Sequence, residues 1–140
     1  MNIKNFLFAT NTGTTGQVGL AIFRIFVGLV MAFVHGLGKF PISEQLIQGV
    51  ASIGFPMPVM FAHAAALSEL VGGVLLALGL LTRPAAIFMA FTMFVAGTFV
   101  HAADPFNVKE LAFLYMFVCI FFACYGGGRF SLDNKMGSKV

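Results

Sequence analysis

An all-α fold, a polytopic membrane protein built as a bundle of four transmembrane helices, is what this sequence predicts, and three observations lead there. Of 140 residues, 59% are hydrophobic and only 9% charged, with a mean hydropathy of +0.96. A soluble domain usually carries about a quarter charged residues, so there is too little polar surface here to wet a globule. The apolar residues gather into four runs of about 20 residues, the length that crosses a hydrocarbon core as a helix. Turn-forming residues separate the runs: KFP at 39–41, GFPMP at 54–58, TRP at 82–84 and DPFN at 104–107. Lipid offers backbone amides no partners, and four segments are too few for a closed barrel, so each run must be helical.

The elements follow in chain order. Residues 1–16 form a flexible N-terminal segment: FLFA after Lys4 is too short for a signal h-region, and NTGTTGQ is polar. This segment is expected at the membrane surface. The membrane domain is expected over 17–130, with spans at Gln17–Gly38, Met60–Leu81, Pro84–Ala102 and Val108–Gly126. Between the first two spans, Ile42–Ile53 carries Ser43 as an N-cap and places Leu46, Ile47, Val50 and Ile53 on one helical face. A short interfacial helix in the first outer loop is the expectation. Residues 131–140 read as a cytoplasmic tail.

Four spans put both termini and the loop at 81–84 on one side. That side carries Lys4, Arg83, Arg129, Lys135 and Lys139, against Lys39 and Lys109 on the other. Positive charge accumulates on the cytoplasmic face, so both termini are expected inside. These flanking charges account for the net +3 and imply no nucleic-acid partner. Cys119 and Cys124 lie five apart on one helix, where rise and rotation prevent a disulfide. No nucleotide loop, nucleophile elbow or CxxC appears, which argues against autonomous hydrolase, kinase or thiol-oxidoreductase chemistry.

The polar residues inside the spans are the candidates for function. By helical rise Arg24 falls about 10 Å deep from the cytoplasmic side and Glu69 about 13 Å deep from the outer side. That offset is within reach of the two side chains and helix tilt, and intramembrane charges face the bundle interior and pair. An Arg24–Glu69 ion pair is therefore expected. Arg24, Gly28, Met31 and His35 share a face at spacings of four, three and four, with Lys39 continuing the stripe. Gly28 leaves room there for a neighbouring helix or a ligand. His35, His63 and His101 all fall near the outer rim, as do Asp104 and Glu110. Depth alone does not make three histidines converge, so no metal site is assigned, and so small a bundle leaves little room for bis-histidine haem. A polar cavity opening outward is expected, lined by Arg24, His35 and Glu69 with His101 or Glu110. The glycines of ELVGGVLLALGLLTRP allow close helix packing, and the phenylalanines of spans 3 and 4 are lipid-facing bulk and packing.

These segments carry a family resemblance. The R…G…HGLGKF pattern of span 1, the GFPMP turn, ELVGGVLLALGLLTRP and the closing GGGRFSLD together resemble the DoxX family of small four-helix membrane proteins, over about Gly19–Asp133. The family's ending is similar to GPGRWSLD; here the proline and tryptophan are replaced, which changes the exit from span 4. The resemblance implies a bacterial inner-membrane protein. Some members are subunits of quinone-reducing thiosulfate oxidoreductases. Others belong to an oxidoreductase complex working with soluble superoxide dismutase and a sulfurtransferase in thiol and oxidative stress. Arg24, His35, Lys39, Glu69 and Arg83 match the family pattern.

The functional expectation is a subunit of, or accessory to, a quinone-linked oxidoreductase. Its catalytic candidates are His35, Glu69 and Arg24, and its ligand-binding candidates Arg24, Gly28, His35, Lys39, Glu69, His101 and Glu110. Quinone is the expected cofactor, with none covalently bound. His35 would hydrogen-bond a quinone carbonyl or carry its proton, since its unperturbed pKa suits that task near neutrality. The partners expected are the lipid bilayer and other oxidoreductase subunits or a soluble redox protein, because the chain has no evident redox centre; homo-oligomerisation is open. The rival reading is a scaffold or assembly protein in which Arg24–Glu69 is a structural pin. A transporter is disfavoured by four spans without an inverted repeat.

Overall fold

A computed structural model describes residues 13–137. Lys4, Lys139 and the segment expected at the membrane surface before Gly13 lie outside the described residues. Helix α1 spans Thr14–Leu29 and runs on through a π-helical turn, Val30–Gly36, and a 3-10 turn, Leu37–Lys39. Then follow α2 (Glu44–Ser52), α3 (Pro58–Leu78), α4 (Thr82–Val95, extended by a π-helical turn, Ala96–Val100), α5 (Phe106–Tyr125) and α6 (Leu132–Gly137). The chain is a multi-pass membrane protein, and no strand occurs among the described residues. The four long segments, Thr14–Lys39, Pro58–Leu78, Thr82–Val100 and Phe106–Tyr125, lie within three residues of the predicted spans at every boundary. Span 3 ends at Val100, and span 1 begins at Thr14 because the polar TTGQ joins the helix.

Local chemistry sets the boundaries. Ser43 caps α2 as predicted: its Oγ accepts the Leu46 amide at 3.2 Å, and Glu44 in the first turn suits the helix dipole. Pro58 opens α3 at a position where its missing N–H costs nothing. At the other end of α3, Gly79 takes a left-handed φ of +66°. Its amide reaches Leu76 O and the Leu80 amide reaches Leu75 O, both at 3.0 Å, a Schellman closure.

Packing is tightest between α1 and α3. A Cβ on Gly28 would lie 2.5 Å from Ala77 N and 2.6 Å from Gly73 O, and one on Gly73 would lie 2.6 Å from Ala32 N. Gly36 abuts the Glu69–Leu70 backbone in the same way. Small residues thus let the two backbones touch, which is how apolar helices associate without a hydrophobic driving force between them. The predicted opening at Gly28 is filled by α3, so Gly28 is a packing residue and is corrected out of the ligand-binding set.

The core proper is Val27, Met31, Leu76, Ala86, Met89, Met93, Cys119 and Phe122. Helix α5 backs onto α4 and meets α1 through side chains: Phe23 with Phe122 at 5.8 Å between ring centroids, His35 with Tyr115 at 5.3 Å, and Gln17 Nε2 donating to Tyr125 OH at 2.8 Å. Ile22, Phe26, Phe88 and Phe117 are each more than 60% exposed. On a soluble protein such a surface would be a liability; against acyl chains it is matched to its solvent.

Candidate functional site: two separated polar clusters

The charged residues expected to form one site form two. Arg24 is 1% exposed, yet its partners are backbone carbonyls. Nη1 donates to Leu76 O and Ala77 O, each at 2.6 Å, and Nη2 to Phe130 O at 3.0 Å. A cation on the last carbonyls of α3 satisfies groups the helix leaves unpaired and complements its dipole. Beside it, Asp133 does the converse for α4. Its Oδ1 accepts the Leu81 amide at 2.7 Å and its Oδ2 the Thr82 amide at 2.9 Å, while its own amide donates to Gly79 O at 2.8 Å. Burial works against ionisation of Asp133, but the hydrogen bonds from Thr82 and Leu81 and the Arg24 charge outweigh it, holding the carboxyl below its usual value.

The expected Arg24–Glu69 pair is therefore corrected. Glu69 lies seven residues before Leu76, about 10 Å up α3 by helical rise, and it pairs with Lys39. Lys39 stands at the end of span 1, where a lysine would ordinarily snorkel outward to the interface. Instead it turns inward and also reaches the His35 carbonyl at 3.5 Å. Glu69 is 2% exposed, and an unpaired carboxylate at that burial would be costly.

Above the Lys39–Glu69 pair lies a cavity of about 480 Å³, enclosed by α1, α3, α4 and α5, with α2 across its mouth. Its walls are mostly apolar: Leu46, Val50 and Ile53 from α2, Phe61 and Ala65 from α3, and Val95 and Val100 from α4. The polar groups are few and gathered: His35, Lys39, Glu69, Tyr115, and the Ser68–Thr92 hydroxyl pair at 2.6 Å. The exposed Phe88 and Phe91 also line it, so the space reaches the lipid-facing surface between α3 and α4. A mostly apolar pocket of this size with a few convergent polar groups is what small-molecule sites share.

Of the predicted binding residues, the fold gathers His35, Lys39, Glu69 and His101 around this cavity and leaves out Arg24, Gly28 and Glu110. His101 sits at the mouth, its Nδ1 paired with Asp104 Oδ2 at 2.7 Å. His63 faces away, with Nδ1 at 2.7 Å from Val59 O of its own helix. Among the described residues the three histidines form no metal-ligating cluster. Sequence reasoning missed Tyr115, a hydroxyl-bearing ring at a buried-face position of span 4, and Ser68 and Thr92. It also missed both π-helical turns, which lie at cavity level in α1 and α4; such turns are frequent at functional sites.

Comparison with known proteins bears on the same region. The DoxX family model matches residues 19–102, which include every predicted cavity residue of α1, α3 and α4 but not Tyr115 or Asp133. An "Uncharacterized protein" of Haemophilus influenzae is 38% identical over 130 residues, covering 86% of this chain and 92% of its own. "Putative oxidoreductase CatD" of Bacillus subtilis is 36% identical over 118 residues, covering 84% and 86%. "Inner membrane protein YphA" of Escherichia coli is 35% identical over 79 residues, 56% of each chain. No solved structure matches.

Proposed function

The chain belongs to the DoxX family, and from that premise we propose that it binds a quinone headgroup in the outer cavity as a subunit of, or accessory to, a quinone-linked oxidoreductase of the bacterial inner membrane. The observation that carries the reading is the cavity's composition: an apolar enclosure, reached from the lipid side between α3 and α4, over a floor of His35, Lys39, Glu69 and Tyr115. The floor holds one cation and one anion that neutralise each other. It therefore suits a neutral headgroup bearing carbonyl acceptors, with hydrogen-bond donors available from His35, Tyr115 and Lys39. A lipophilic ligand dissolved in the bilayer would enter sideways without crossing water. The relative named as an oxidoreductase in Bacillus subtilis supports the class of reaction.

A bound quinone would supply the two-electron chemistry; the protein would bind and orient it and handle protons. His35 would hold a carbonyl oxygen or carry its proton, its ring set edge-on against Tyr115. Glu69 fixes the Lys39 ammonium, and that pair sets the polar end of the site. Arg24 belongs to the scaffold of this reading, because its contacts are all with backbone at the other end of α3. Electrons would come from a partner protein. The inner-membrane location is supported by the relative named for it in Escherichia coli, and the cationic residues on the side of both termini favour a cytoplasmic position for that side.

The test is quinone content. The protein would be purified gently from its native membrane, extracted, and quinone per chain compared with His35→Ala and Ala65→Phe, the latter filling the cavity. Near-stoichiometric quinone that falls in both folded variants is expected. Equal background in all three would sink the proposal.

A further inference from the structure

At the opposite end of the bundle there is a second cavity, an open bowl of about 1060 Å³. Its walls are the start of α1, the α3–α4 turn, the end of α5 and the segment leading into α6. Two arginines line it: Arg83 in the first turn of α4 and Arg129 just before α6. Both are exposed. Among the described residues neither guanidinium has a carboxylate within ion-pair distance, the only such pairs being Lys39–Glu69 and His101–Asp104.

Several other polar groups in the wall are already engaged. Asp133 already receives two amides, and Gln17 bridges Tyr125 OH and the Arg129 amide. The Thr82 side chain is fully buried behind this wall, and its hydroxyl helps hold the Asp133 carboxylate. Gly126, with φ of +88°, carries the chain past Arg83, and a Cβ there would lie 3.5 Å from Arg83 Nε.

We propose that this bowl is a binding site for a phosphate-bearing anion, held by the Arg83 and Arg129 guanidiniums. A planar guanidinium matches phosphate oxygens two at a time, which a lysine cannot do. The site lies at the end of all four spans, at headgroup depth. The same phosphate chemistry can thus arrive as the phosphodiester of an anionic phospholipid or as a soluble phosphate. The site is independent of the quinone reading and survives if that fails.

Native mass spectrometry of the purified protein would compare retention of phosphatidylglycerol and phosphatidylcholine. Pyrophosphate would be titrated as the soluble probe. Phosphatidylglycerol is expected to be retained over phosphatidylcholine, with the preference falling at least about tenfold in Arg83→Gln/Arg129→Gln, the factor one charge-assisted hydrogen bond supplies. Lys109→Gln at the other membrane face should leave it unchanged. Pyrophosphate displacing the lipid would identify a soluble ligand as the competitor; lipid retention indifferent to pyrophosphate would identify the headgroup. If the Gln double variant fails to fold, Arg83→Lys/Arg129→Lys decides, since it keeps charge and loses the paired contacts; the preference must still drop. Equal retention of both lipids with no pyrophosphate binding, an unchanged preference in the arginine variants, or an equal loss in Lys109→Gln would overturn the proposal.

Discussion

Replacing Arg24 with leucine tests whether this arginine is a backbone clamp or half of an ion pair. Three carbonyls accept from it, but they would not suffer alike. Leu76 O keeps the Gly79 amide, whereas Ala77 O and Phe130 O have no other hydrogen-bond donor among the described residues. A buried acceptor left unsatisfied costs about 1–3 kcal/mol, so two give roughly 2–6, with a central expectation of about 4 kcal/mol. Removing a buried cation whose Nε is itself unpartnered returns part of that. The assay is unfolding in mixed micelles by titration with a denaturing detergent, followed by helical circular dichroism. A double-mutant cycle then locates the partner. Arg24→Leu with Glu69→Gln should be additive within about 0.5 kcal/mol, as for separated sites. Lys39→Met with Glu69→Gln should show a coupling of about 1 kcal/mol or more, as residues in one ion pair do. Strong Arg24–Glu69 coupling beside none for Lys39–Glu69 would refute the two-cluster geometry, and a cost below about 1 kcal/mol for Arg24→Leu would refute the clamp.

Other perturbations read other parts of the fold. Gly28→Ala must push α1 off α3, because the new methyl would meet backbone rather than a side chain that can swing away; a loss of about 1–3 kcal/mol is expected in the same unfolding assay. Asp133 gives a pH dependence of definite sign. Its folded pKa is depressed, so its stabilisation is present above the unfolded carboxylate value of about 3.9 and is lost as pH falls through the lower folded value. Asp133→Asn should therefore be less stable than wild type at neutral pH and should lose less on acidification, measured by thermal melts at a series of pH values. Thr92→Val, which removes a hydroxyl contact between α3 and α4, should cost only about 0.6 kcal/mol; a loss several times larger would mean that contact carries more than its geometry indicates.

The four spans were legible because lipid imposes a coarse rule: about twenty apolar residues, broken at Lys39–Pro41, Gly54–Pro58 and Thr82–Pro84. The Ser43 cap was legible because capping needs one residue type at one place. The pairing of charges was not, for three reasons. Arg24 is satisfied by the carbonyls of Leu76, Ala77 and Phe130, and a carbonyl has no signature in a sequence. The shared face assigned to Arg24 and His35 assumed 3.6 residues per turn throughout, whereas Val30–Gly36 winds as a π-helix and advances less per residue, so His35 drifts off that face and toward the cavity. Asp133 looked like part of a polar tail; only the fold brings it back across 51 residues to the first amides of α4.

The way α5 joins the bundle has a mechanical consequence. Helices α1 and α3 are locked backbone to backbone at Gly28, Gly36 and Gly73, and to part them would require moving whole helices. The α1–α5 side is closed by a hydroxyl, two phenyl rings and an imidazole–phenol contact. Such groups yield by rotamer change, on times of nanoseconds where they are not tightly packed. Thermal breathing will therefore concentrate along this seam, and His35 and Tyr115 are both its fastener and the floor of the cavity. Any ligand that grips those two rings also stiffens the bundle, so occupancy should be readable as slowed hydrogen exchange along the facing turns of α1 and α5.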